Sequence, residues 1–213
     1  MGFQDFMDAI LGRSRLPKAK SDKLFAISTA SITLQANLGL KPSGSAGICF
    51  KPIGASAYES ARKEIQELLE YSSKETETEF RLEKDEYNFL WAIFKDPDFE
   101  DLVANIHLVS QTLEEHGFGE QILCAIYRFE SEPEAGTTAG TTAGAAGREG
   151  KNSGRKSVYW IYNFKQGTYY PFIPLSDRQR DSPFEFRLRT EMEREMPIEK
   201  NVEKWYPLWG IPF

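Results

Sequence analysis

The chain opens with apolar residues at helical spacing. Phe3, Phe6, Met7, Ile10 and Leu11 fall at i, i+3, i+4, i+7 and i+8 and form one stripe, with Gln4, Asp5 and Asp8 outside it. Gly12 follows as a helix stop. Arg13, Arg15, Lys18 and Lys20 come next. Further along, the pattern predicts a short helix over 22–30 capped by Asp22. Ile32, Leu34, Ala36 and Leu38 then alternate with other residues, which predicts a strand over 33–40. Pro42 and Gly44 predict a turn within 39–47, and 46–51 reads as a short strand.

Ser56-Ala57-Tyr58-Glu59 has the form of a capping box, which predicts a helix to about Tyr71. Its inward stripe is Tyr58, Ala61, Ile65, Leu68 and Leu69, with Glu59 and Lys63 as an i,i+4 pair. Phe80 and Leu82 alternate with Arg81 and Glu83, and 87–94 is almost continuously apolar; together they predict a hairpin turning at Lys84-Asp85-Glu86. A helix from Pro97 to His116 has the clearest signals. Asp96 precedes it as a cap, Asp98, Glu100 and Asp101 fill its first turn, and Phe99, Leu102, Val103, Ile106, Val109 and Leu113 share a face. Gly117 ends it, with Phe118 folding back on Leu113.

Strands follow at 121–130, 157–164 and 168–173, the last two joined by Lys165-Gln166-Gly167. Between the first two, residues 132–155 centre on an Ala-Gly-Thr-Thr repeat with no apolar bulk, which predicts a flexible loop inside the domain. A charged helix over 184–196 and the aromatic segment 205–213 complete the reading; the latter is too apolar to stay in water and is expected to dock on the body.

Composition narrows the class. With 213 residues, 40% hydrophobic and 13% aromatic, the chain suits a single domain, 1–213, with a real core. A net charge of −6 argues against a general nucleic-acid binder. Cys49 and Cys124 sit in apolar, strand-like surroundings and read as buried free thiols. No run approaches the roughly 20 apolar residues that span a bilayer. The opening segment places its cations after the apolar stretch, unlike a secretory signal. The expectation is a cytoplasmic protein, peripheral to the membrane if the first helix lies on it.

Motifs for catalysis are weak. His107 lies beside the inward stripe of its helix, and His116 sits at the helix end, where a cation suits the dipole. The glycines at 39 and 44 lack the lysine of a phosphate loop, and Ser43-Gly44-Ser45-Ala46-Gly47 misses the first glycine of a nucleophile elbow. Asp177-Arg178-Gln179-Arg180-Asp181 reads as a polar loop with local ion pairs. No catalytic, cofactor or metal residue is assigned.

The stretches 31–52 (SITLQANLGLKPSGSAGICFKP), 98–128 (DFEDLVANIHLVSQTLEEHGFGEQILCAIYR), 159–174 (YWIYNFKQGTYYPFIP) and 205–212 (WYPLWGIP), with the opening MGFQDFMDAILGR, resemble PspAB, the phage-shock-protein-A-associated family of archaea and actinobacteria. The resemblance covers nearly the whole chain apart from the Ala-Gly-Thr loop. It implies a role in envelope stress, with a PspA-like coiled-coil membrane protein and an HtpX-type membrane zinc protease as partners. The chain lacks the HExxH motif of such proteases, so it would be an accessory.

The expected fold is α+β. A mostly antiparallel sheet of about six strands packs against two main helices, 57–71 and 98–116, led by an amphipathic N-terminal helix within 1–21. Secretion-chaperone-like architecture is compatible with this order. The expected function is non-enzymatic: an adaptor that binds proteins, with Phe3, Phe6, Met7, Ile10, Leu11, Arg13, Arg15, Lys18 and Lys20 contacting a partner or an anionic membrane. The rivals are a small hydrolase of unknown substrate, using His107 or the 178–181 loop, and a nucleic-acid-binding regulator.

Overall fold

The computed structural model describes residues 20–21, 23–51, 55–131 and 155–213, with only the backbone at 55–58, 60, 61 and 75. The expected helix over 3–11, its cations up to Lys18 and most of the Ala-Gly-Thr loop lie outside the described residues.

Helix α1 spans Ala26–Leu38 and leads into β1, Leu40–Phe50. The strand expected over 33–40 is therefore mostly helix. The burial explains why. Ile27, Ala30, Ser31 and Leu34 form the buried stripe at i, i+3, i+4 and i+7, while Ile32 is 67% exposed. Gly39, at φ +63°, stops the helix. The expected turn within 39–47 is instead the first half of β1. It carries an irregularity between Pro42 and Ser45, and Gly44 adopts φ +72°. Pro42 is tolerated because β1 there is paired with β4 alone; pairing with β3 begins only at Ser45.

Helix α2 spans Ala55–Thr76, starting before the expected Ser56 cap and running past Tyr71. Lys63 meets Glu67, not Glu59. Strands β2, Glu79–Lys84, and β3, Leu90–Lys95, form the expected hairpin. Helix α3, Phe99–Glu115, is capped by Asp98, whose side chain accepts from the Glu100 amide at 2.9 Å. Pro97 thus precedes the cap. Asp96 instead accepts from the Asp98 amide at 2.7 Å and from the Thr78 hydroxyl. The helix ends as expected: Gly117 at φ +79° donates to the Glu114 carbonyl and Phe118 to the Leu113 carbonyl, at 2.9 and 2.7 Å.

Strands β4, Ile122–Ser131, β5, Ser157–Asn163, and β6, Thr168–Phe172, complete the sheet, followed by helix α4, Ser182–Met192. Among the described residues the six strands pair antiparallel, in the order β2-β3-β1-β4-β5-β6. The architecture is α+β, as the pattern implies. Glu130 opposes Ser157 and the Ser131 amide donates to the Lys156 carbonyl, so the 132–155 segment joins neighbouring strands of one sheet.

Both sheet faces are covered. Helices α1 and α3 pack on one face, where the Phe99 ring meets Tyr127 and Phe129 edge-on at 5.7 and 5.3 Å. On the other face α4 joins the segment 205–213. Trp205 stacks near Tyr170, Trp209 meets Phe172 edge-on at 5.1 Å, and the Arg81 guanidinium donates to the Pro212 carbonyl. Gly47 makes room for this segment, since a Cβ there would stand 2.8 Å from the Phe213 ring. Cys49 and Cys124 oppose each other on β1 and β4 as buried free thiols. Burial, then the neighbouring Cys124, pushes the Cys49 thiol well up.

Candidate functional site

Of the residues singled out for surface contact, Lys20 is the one described. Its amide donates to the Phe164 carbonyl at 3.0 Å, and its carbonyl accepts from the Tyr162 hydroxyl. Its ammonium reaches the Gln166 carbonyl at 3.3 Å. The end of the basic segment is therefore fixed on the β5–β6 turn, on the helix-covered side of the sheet.

That turn gathers cations from distant parts of the sequence. Asn163 organises it: its side-chain oxygen accepts from the amides of Lys165 and Gln166 at 3.0 and 3.3 Å, and its carbonyl from Gly167 at 2.8 Å. Gly167, at φ +68°, turns the chain, and a Cβ there would lie 2.9 Å from the Lys20 side chain. Lys204 reaches Gln166 from beyond α4, at 3.4 Å. Lys51, at the end of β1, lies close enough for its charge to act on Lys165.

Lys165 is 6% exposed, and its ammonium is lowered from 10.5 to about 8. Burial is the main cause, Lys51 adds to it, and Glu120 opposes it. Burial also lowers Lys51. The result is a cationic locality in a chain of net charge −6, with Glu120 and Glu199 at its margin. Lysine ammoniums in this arrangement suit phosphate or carboxylate groups. The sequence reading missed Lys51, Lys165 and Lys204, because they converge only when β1, the β5–β6 turn and the segment after α4 meet.

The residues considered for catalysis are spread over the fold, each in a local structural contact. His107 rests against the Phe25 ring at 4.8 Å. His116 ends α3 and meets the Glu64 carboxylate. Arg180 pairs at 2.7 Å with Glu185, which is 1% exposed, and also donates to the Trp205 carbonyl. The other Glu185 oxygen accepts from the Ile173 amide at 2.8 Å. Asp181 caps α4 through the Phe184 amide. The 177–181 loop is thus an ion-paired joint between β6, α4 and the segment at Trp205. Among the described residues no group of three or more His, Cys, Asp or Glu could hold a metal ion, and no helix is long and apolar enough to cross a membrane.

The sequence model of PspA associated protein B, PspAB, matches residues 1–213, the whole chain. The chain belongs to the PspAB family. A comparison with curated proteins gives no match. For this PspAB chain the family's description ties it to PspA, and the resemblance carried by 31–52, 98–128, 159–174 and 205–212 falls on α1 and β1, α3 through β4, the β5–β6 hairpin and the docked segment.

Proposed function

We propose that this PspAB-family chain is a non-enzymatic accessory protein of a PspA-type envelope stress response, working at the cytoplasmic side of the membrane. It binds a PspA-like coiled-coil membrane protein, with an HtpX-type membrane zinc protease as a further partner. The apolar residues of segment 3–11 and the cations Arg13, Arg15, Lys18 and Lys20 contact an anionic membrane surface. The whole-chain family match supports the PspA link. The attachment of Lys20 beside Lys165, Lys51 and Lys204 carries the membrane part, because it makes the basic segment continuous with a cationic locality of the folded body. Clustered lysines near anionic lipid contribute about 1 kcal/mol each, so several act together where one does little.

Flotation with vesicles containing anionic lipid tests the membrane part. The intact chain floats with them and not with neutral vesicles. Phe6→Glu with Ile10→Glu removes flotation, and Lys51→Ala with Lys204→Ala weakens it. Flotation unaffected by both pairs of substitutions overturns the membrane reading. Affinity purification of the chain under membrane stress recovers the PspA-like protein; failure to recover it counts against the adaptor role.

A further inference from the structure

The two edges of the sheet are finished differently. At the β6 edge, residues following α4 add a short parallel bridge between Tyr169 and Ile198. The Tyr169 amide donates to the Pro197 carbonyl at 2.7 Å, and the Glu199 amide to the Tyr169 carbonyl at 2.8 Å. At the opposite edge β2 pairs with β3 alone, and among the described residues no backbone group bonds to its outer side. An open row of amides and carbonyls is a template for another strand.

We infer that the outer edge of β2 pairs antiparallel with β2 of a second copy of this chain, continuing one sheet through both. The argument for this occupant is charge. Arg81 and Glu83 project on the face crossed by the segment 205–213, where Arg81 meets the Pro212 carbonyl and, at 3.0 Å, Glu83. Phe80 and Leu82, half-buried, lie on the helix-covered face. A two-fold axis through the sheet keeps each face continuous, so only alternate registers are allowed. Centred on Arg81, the pairing sets Arg81 against itself and Glu79 against Glu83. Centred on Glu83, it sets Glu83 against itself. Centred on Leu82, it places Arg81 of each copy opposite Glu83 of the other, Leu82 opposite Leu82, and Phe80 beside the aliphatic stem of Lys84. Centred on Phe80, Glu79 also faces Arg81 twice, but only residues 79–81 of the strand overlap. The Leu82 register pairs opposite charges twice, adds an apolar contact and overlaps residues 80–84, and cross-strand pairs of these kinds stabilise a sheet. The same charges select against the neighbouring registers.

The test is the mass of the chain in solution by light scattering, without lipid, over about 1–100 μM. The wild type approaches twice the chain mass as concentration rises. Arg81→Glu puts Glu opposite Glu, and Glu83→Arg puts Arg opposite Arg. Each variant alone weakens self-association by roughly tenfold or more. Mixed in equal amounts they restore the pair, since every Glu of one then faces an Arg of the other. The mixture also shows that neither variant failed merely by misfolding. A wild type that stays monomeric throughout, reversals that leave its mass unchanged, or a mixture that does not associate would each overturn the inference.

Discussion

The Tyr162 hydroxyl donates to the Lys20 carbonyl, so a fully buried side chain on β5 holds the point where the basic segment meets the sheet. Tyr162→Phe keeps the ring and removes that bond, with an expected cost of about 1 kcal/mol. Hydrogen exchange should localise the effect. The Lys20 amide, bonded to Phe164, loses protection, while amides of β4 keep theirs. Uniform loss across the sheet would contradict this assignment.

Two buried tyrosines should respond oppositely to the loss of their hydroxyls. Tyr169 donates to the Leu24 carbonyl, so Tyr169→Phe leaves that carbonyl short of a partner and destabilises by about 1–2 kcal/mol. The Tyr127 hydroxyl is buried with no partner among the described residues. Tyr127→Phe removes an uncompensated desolvation cost and should be neutral or stabilising by about 1 kcal/mol. Urea midpoints at equal slope decide both.

Lys165 gives a pH signature. Its folded value, about 8, lies below the ordinary 10.5, so between these values the unfolded chain binds more protons and stability rises with pH. The cost of burying the ammonium is fully present below pH 8 and gone above 10.5. Lys165→Met removes it. Urea titrations at pH 7 and pH 10 should show the wild type gaining on the variant at the higher pH. A constant difference would mean that Lys165 is not lowered.

Gly117→Ala tests the α3 stop. Among the described residues a Cβ there meets nothing within 4 Å, so the cost comes from φ +79°, about 1–2 kcal/mol. Gly47→Ala is different in kind: its Cβ presses on the Phe213 ring and stands 3.3 Å from the Ala92 carbonyl. It should release the segment 205–213 and expose Trp209, seen as a red shift in tryptophan emission, whereas Gly117→Ala leaves the emission unchanged.

Much of the fold is legible in the chain because the signals are local. The Gly117-Phe118 stop, the β2–β3 alternation and the aromatic strands at 157–164 and 168–173 each depend on neighbours a few residues away. Local rules failed at 33–47. Ile32, Leu34, Ala36 and Leu38 alternate, but the packing of α1 on β1 selected the competing stripe of Ile27, Ala30, Ser31 and Leu34. Pro42 and Gly44 read as a turn, yet one-sided pairing and an irregularity accommodate both in β1.

The sequence by itself determined the α+β class, the docking of the aromatic segment and the family, since these rest on hydrophobic period, local stops and residues near one another in the chain. Only tertiary structure brought Lys20, Lys51, Lys165 and Lys204 to one turn, made Arg180 and Glu185 a buried joint and placed β2 at the end of the sheet. Charge proximity and edge position depend on which strands lie side by side, and that follows from burying both faces of the sheet at once, which no short stretch of sequence encodes.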